Sequence, residues 1–257
     1  MKQSNYLKTA IKAAKAAGKI IRQNYGKHID LHYKAGMDFV TDIDLKAEKI
    51  IISTIKKNYP GHSVYGEESG FDKKESNFLW IIDPLDGTTN FTMSNPFFNT
   101  AIALVKDNEV IVGVVYNPLM DELFYAEKGK GTYLNGKKIL VNGKSDLSKS
   151  VVTFCHGSKK IAHIKRTTKI YSKMKLIANH TRQLGAAALE LAHVACGRTV
   201  CFYMNNMNAY DVAAGSLLVE EAGGKVTNFE NKKFTINSID IFASNGKVHK
   251  KVLDVIS

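Results

Sequence analysis

Residues 78–91 read Phe-Leu-Trp-Ile-Ile-Asp-Pro-Leu-Asp-Gly-Thr-Thr-Asn-Phe, an apolar run that ends on two acids, a glycine and two hydroxyls. Phe78 to Ile82 has the continuity of a strand covered on both faces. It runs into Asp83, so that carboxylate is held at the end of a rigid element. Pro84 has no amide hydrogen and stops ladder pairing. Asp86 follows closely enough for a tight turn to bring both carboxylates around one cation. Gly87 leaves room for a ligand against the backbone, and the amides of Gly87 and Thr88 can face a phosphate. Taken alone, an Asp-Pro-x-Asp-Gly stretch is equally a plain turn.

Two further segments carry the same kind of group. Gly66-Glu67-Glu68-Ser69-Gly70 reads as a loop, and Ala209-Tyr210-Asp211-Val212-Ala213-Ala214-Gly215 as the start of a helix. Glu67, Asp83, Asp86 and Asp211 together offer four carboxylates, the hard oxygen donors that Mg²⁺ prefers. Gathered without a cation they would repel one another and be expensive to bury. Each also has a plainer reading. Glu67 and Glu68 suit a solvated loop, Asp211 a helix N-cap, and Asp44 a capping partner for Thr41.

The rest of the chain frames these segments. Leu7, Ala10, Ile11, Ala14, Ala17, Gly18 and Ile21 share one face of a helix over 6–25. A second helix starts near Thr41, carries Leu45, Ile50, Ile51 and Ile55, and ends before Tyr59-Pro60-Gly61. Strands over 100–105 and 109–116 flank Asp107-Asn108, and a strand over 123–126 precedes an Asn135-Gly136 turn. The polar stretch 142–150 divides the chain into an N-terminal α+β half, 1–145, and a C-terminal α/β half, 146–257. Beyond it, strands over 151–154, 199–203, 225–227 and 239–243 alternate with helices over 159–173, 186–196, 212–222 and 247–256. Hairpins first and alternation second make a layered α/β protein.

No apolar run reaches the ~18–20 residues that cross a bilayer, and the Lys-studded start lacks the apolar block of a secretory signal. A soluble, cytoplasmic chain with no membrane partner is expected. Cys155, Cys196 and Cys201 lack the spacing of a zinc or redox centre and are expected as buried free thiols. A net charge of +12 would suit RNA or small anionic substrates. The lysines are spread along polar helix faces without interleaved aromatics, so nucleic acid is not the expected partner.

At these residues the sequence resembles the inositol monophosphatase family, within the lithium-sensitive Mg²⁺ phosphatase superfamily. Residues 80–91 are similar to its first signature, down to the Gly87-Thr88-Thr89-Asn90-Phe91 ending. Residues 210–215, followed by Glu221-Ala222-Gly223-Gly224, resemble the second, with Tyr210 where Trp is more usual. Gly66-Glu67-Glu68-Ser69 is similar to the upstream Glu motif, and Asp38-Phe39-Val40-Thr41-Asp42-Ile43-Asp44 to the N-terminal Asp motif. Arg182-Gln183-Leu184-Gly185-Ala186-Ala187-Ala188 resembles the segment leading into the substrate-side helix.

The resemblance implies a layered αβαβα sandwich, assembled as a homodimer, that hydrolyses a small phosphate monoester. It implies two Mg²⁺ ions, with a third, weaker ion near Glu67. Glu67, Asp83 and the Leu85 carbonyl would hold one ion, and Asp83, Asp86 and Asp211 the other. Asp44 and Thr88, beside Glu67, would orient the attacking water and take its proton. Gly87 and Thr88 would meet the phosphate. Asp86, Gly185, Ala186, Ala187, Met204 and Asp211 would face the substrate. Inositol-specific members place Glu seven residues before the second-signature Asp, where this chain has Met204, and a thioether is a poor acceptor. Fructose 1,6-bisphosphate or another sugar or nucleotide phosphate therefore stands beside inositol 1-phosphate as the expected substrate. The alternative of another class is a metal-binding regulatory protein that associates with RNA or protein.

Overall fold

The computed structural model describes residues 3–33, 39–157 and 160–256. Its first helix, α1 (Asn5–Asn24), starts where the Ser4 side chain accepts the Leu7 amide. Alanines at 10, 13, 14 and 17 make up much of its buried face and let it lie close to the sheet beneath. β1 (Leu31–Tyr33) and β2 (Phe39–Thr41) form an antiparallel ribbon leading into α2 (Asp42–Asn58). Asp38, the first residue of the Asp motif, lies outside the described residues.

Eight strands make the first sheet: β3 (Ser63–Gly66), β4 (Gly70–Asp72), β5 (Phe78–Asp86), β6 (Asn99–Lys106), β7 (Glu109–Asn117), β8 (Glu122–Glu127), β9 (Thr132–Leu134) and β10 (Lys137–Ile139). They lie in the order β10-β9-β8-β7-β6-β5-β3-β4, with β3 and β5 parallel and the other neighbours antiparallel. Asp107 and Asn108 have φ of 49° and 64°, and Asn135 and Gly136 of 47° and 83°, the left-handed pairs that tight hairpins need. β5 does not end at Ile82. It continues through Asp86, and its register against β6 shifts between Asp83 and Asp86. Pro84 gives no amide to a ladder, and the irregularity accommodates it.

A one-turn helix, α3 (Thr88–Thr92), follows β5. The second sheet holds β11 (Val151–His156), β12 (His180–Arg182), β13 (Cys201–Asn205), β14 (Lys225–Thr227) and β15 (Asp240–Ser244), in the order β12-β11-β13-β15-β14. Its helices are α4 (Ile161–Lys175), α5 (Ala187–Ala195), α6 (Ala209–Glu221) and α7 (His249–Ile256). β13 runs two residues beyond the strand expected over 199–203, and α6 begins three residues before the helix expected over 212–222. Both shifts matter for the site, because they put Met204 in a strand and Asp211 inside a helical turn. Lys159, the expected start of α4, lies outside the described residues.

Alternation along β5 sorts the layers. Trp80 and Ile82 face α1 and α2, in a core with Leu7, Ile21, Ile51 and Val114. Ile81 points the other way, into a core with Leu189, Leu191, Val212 and Leu218 of α5 and α6 and with Phe202 and Ile241 of the second sheet. α4 and α7 cover the outer face of that sheet, where Ile170, Met174 and Val252 meet Phe154, Tyr203 and Phe242. The architecture is therefore a layered αβαβα sandwich. Each half supplies its own sheet, and the two halves share the middle core. All three cysteines are free; Cys155 and Cys201 are buried, whereas Cys196 at the end of α5 is partly exposed. Among the described residues no helix is long and apolar enough to cross a membrane.

Candidate active site

α2 opens with a reciprocal cap in which Thr41 Oγ1 accepts the Ile43 and Asp44 amides and Asp44 Oδ2 accepts the Thr41 amide at 2.9 Å. The other oxygen of Asp44 has a second task. Asp44 Oδ1 lies 3.0 Å from Thr88 Oγ1, which also lies 3.0 Å from the Leu85 carbonyl. The single hydroxyl proton serves one acceptor at a time. One Asp44 oxygen thus serves the cap of α2, and the other is left to Thr88. Burial raises the Asp44 pKa, and hydrogen bonds from Thr41 and Thr88 pull it back.

Asp83 is 2% exposed, and its Oδ1 accepts the Leu85 amide at 3.1 Å. Burial, and then the negative charges of Glu67, Asp86 and Asp211, push its pKa well above the usual carboxylate range. Asp86 is also buried, at 8% exposed, yet burial raises it only to about 6. The difference lies in its donors. Asn99 Nδ2 at 2.7 Å, the Ala187 amide at 3.1 Å and the Ala188 amide at 2.8 Å all point at the Asp86 carboxylate. Asp211 is not the N-cap of α6: Asn208 is, and Asp211 in the first turn accepts the Asn208 amide at 2.9 Å.

Glu67, Asp86 and Asp211 line a cleft of about 470 Å³ with Asn90, Gly185, Ala187 and Met204. Ala186 does not line it; that residue is buried beside Gly87. Gly87 has φ 91°, and a Cβ there would stand 3.1 Å from both the Ala186 Cβ and the Phe97 carbonyl. Backbone shape and packing therefore both demand glycine at this point. Met204 is 4% exposed and sits in register between Cys155 and Ile241, so its thioether belongs to the middle core as much as to the cleft.

Among the described residues no three His, Cys, Asp or Glu side chains are gathered tightly enough to hold an ion between them as they stand. Asp83, Asp86 and Asp211 are each turned toward a protein amide. The chemistry of the set still fits a hard cation. Every donor is oxygen, and three carboxylates bear on a fourth that is buried.

Two supporting residues escaped the sequence reading. Glu48 of α2 is 3% exposed and receives the Glu68 amide at 2.9 Å and the Ser69 amide at 2.7 Å, one on each carboxylate oxygen. It clamps the turn that carries Glu67. It stands four residues after Asp44, so one helix face serves both sides of the site. Glu190 of α5 is wholly buried, and its Oε1 accepts the Gly185 and Leu184 amides and the Cys155 thiol. Burial raises its pKa to about 8. An acid in the apolar run Ala187-Ala188-Leu189-Glu190-Leu191-Ala192 was the signal for it.

A layered phosphatase fold with an acidic cleft between its sheets defines a class, and comparison with known proteins defines the family. The model of the inositol monophosphatase family matches residues 2–256, and the chain belongs to that family of phosphatases. It is 37% identical to the Nus factor SuhB of Pasteurella multocida, over 97% of this chain and 95% of that one. It is 36% identical to the fructose-1,6-bisphosphatase/inositol-1-monophosphatase of Thermotoga maritima, over 96% and 94%. The crystal structure of extragenic suppressor protein suhB from Bartonella henselae superposes with a TM-score of 0.94 at 34% identity, covering 99% of each chain.

Proposed function

We propose that this chain hydrolyses a small-molecule phosphate monoester with Mg²⁺, using two ions and a third, weaker one near Glu67. The observation that carries this reading is the buried Asp83 carboxyl surrounded by Glu67, Asp86 and Asp211. Those four side chains and the Leu85 carbonyl would hold the metal, which when bound supplies charge for the phosphoryl oxygens and acidifies a water. The chain's own part is positional. Asp44 Oδ1 accepts the Thr88 proton, which leaves the Thr88 oxygen free to accept from a water and hold it for attack. The Asp44 carboxylate, raised by burial, is the group that takes the proton onward. The Gly87 and Thr88 amides meet the phosphate. Asp86, Gly185, Ala187, Met204 and Asp211 face the rest of the substrate, whereas Ala186, buried beside Gly87, does not reach it.

Inositol 1-phosphate is the first substrate of this reading. Met204 supplies no carboxylate for inositol hydroxyls, and the likeness to the Thermotoga maritima enzyme adds fructose 1,6-bisphosphate. The family also suggests a cytoplasmic homodimer, which sedimentation would weigh. The test is phosphate release from inositol 1-phosphate, fructose 1,6-bisphosphate, NADP and 3′-phosphoadenosine 5′-phosphate, with Mg²⁺ and with chelator. Metal-dependent turnover that vanishes in Asp83→Asn is expected. Folded, metal-loaded protein inert on the whole panel would refute the reading. RNA or protein association is a second reading, favoured by the +12 charge and the relatives named Nus factor SuhB. RNA binding that weakens steeply with salt would support it, and none at low salt would end it.

A further inference from the structure

His156 and Gln183 stand 2.9 Å apart, ring Nδ1 to amide Nε2, at one end of the acidic cleft. On their other side a second cavity, of about 480 Å³, opens between α4 and the β11–β12 edge. Both residues line both spaces, so this pair forms the border that the two cavities share. Each is within the ~300–1,000 Å³ of ordinary ligand pockets.

The second cavity has a different chemistry from the first. Its walls include Phe154, Tyr171 and Ile164. The Phe154 and Tyr171 ring centroids are 5.3 Å apart, and Tyr203 stacks behind Phe154 at 5.4 Å. Thr167 and Thr181 also line it, are 6% and 7% exposed, and have no hydrogen-bond partner for their hydroxyls among the described residues. One χ1 step exchanges a threonine's methyl and hydroxyl, so either can turn a polar edge inward. Arg182 lies at the rim, and among the described residues no carboxylate pairs with it. Aromatic walls, two spare hydroxyls and a guanidinium that donates to the Thr181 carbonyl but meets no carboxylate suit a flat heteroaromatic ring bearing an anionic group. A bare polyol would leave the aromatic wall unused, and an alkyl chain would leave the hydroxyls unsatisfied.

We propose that the cavity beside His156 and Gln183 is a subsite for the nucleobase of a nucleotide substrate. The monoester phosphate then sits in the acidic cleft, and the inference rests on the phosphatase reading for that placement. Tyr171 is the specificity-determining wall, and it touches none of the groups assigned to catalysis.

Two readouts on the full chain test this. The first is calorimetric binding of adenosine, which carries no phosphate and requires no turnover. The second is KM for adenosine 2′-monophosphate and 3′-monophosphate, beside glycerol 2-phosphate, which has no base. Adenosine binding is expected in the wild type, kept in Tyr171→Phe and weakened about three- to tenfold in Tyr171→Ala. Thr181→Val, which keeps the side-chain shape, weakens it too. The nucleotide KM rises in parallel, while kcat and the glycerol 2-phosphate kinetics stay level. Failure of adenosine to bind the wild type, or an equal change on both kinds of ester, overturns the subsite. Continued turnover of glycerol 2-phosphate then shows that the phosphatase reading survives. Adenosine binding that depends on Tyr171, in a chain inert on every ester, supports the subsite and defeats the phosphatase reading.

Discussion

Replacing Glu48 probes the frame of the site without touching any proposed metal ligand. Its carboxylate takes two backbone amides, at 2.7 and 2.9 Å, from a helix that also carries Asp44. A hydrogen bond to a charged group contributes ~1.5–3 kcal/mol. Glu68 is partly exposed and Ser69 exposed, so water can recover part of that loss once the carboxylate is gone. Glu48→Ala should therefore destabilise the fold by about 2–4 kcal/mol, read from urea unfolding. Glu48→Gln keeps one acceptor oxygen but points an NH₂ at the other amide, so about half that loss is expected. Activity should suffer more than stability, because the freed turn carries Glu67. A displacement of ~1 Å at a catalytic group costs on the order of 100-fold in rate. Gly66→Ala attacks the same contact from the opposite side, since its Cβ would stand 2.6 Å from Glu48 Oε2 and push the carboxylate off its amides. The assays are phosphate release as a function of Mg²⁺ concentration, with circular dichroism to confirm folding. Wild-type turnover and unchanged Mg²⁺ dependence in Glu48→Ala would refute the clamp.

Other outcomes follow from the same geometry. Asp83→Asn and Asp211→Asn should abolish turnover while unfolding at or above the wild-type temperature, because each removes one of several crowded negative charges; a clear loss of stability would speak against the crowding. Gly87→Ala forces a side chain into φ 91° and against Ala186, and should cost at least ~1–2 kcal/mol in chemical denaturation. Met204→Glu should lower KM for inositol 1-phosphate relative to fructose 1,6-bisphosphate by up to about tenfold, one recovered hydrogen bond's worth; an unchanged ratio would clear Met204 of any part in selectivity. His249, 3% exposed and held between Thr227 and Ser244 hydroxyls, has its pKa lowered to about 4 by burial. Above its unfolded pKa of about 6.5 the ring is neutral in both states. As pH falls from there towards 4 only the unfolded chain takes the proton, so stability drops by at most about 3 kcal/mol. Unfolding of His249→Gln between pH 7 and 4 should show a shallower decline than wild type.

The chain's order of elements was legible without coordinates. Apolar periodicity marked α1 and α2, the Asp107-Asn108 and Asn135-Gly136 turns marked two hairpins, and the acids were recognisable as a set of hard donors. Such signals are local: each depends on residues within a few positions of one another, where backbone geometry alone dictates who is neighbour to whom. What tertiary structure decided was every relation between distant segments. Asp44 meets Thr88 across 44 positions, Asp86 is held by amides about 100 positions away, and Glu48 grips a turn 20 positions on. None of these contacts leaves a periodic trace, because a side chain that satisfies a remote amide looks the same in sequence as one that faces water. The extension of β5 through Asp86 was hidden for a related reason. Proline forbids one hydrogen bond but not the strand, and whether the ladder resumes beyond it depends on the neighbouring strand, β6.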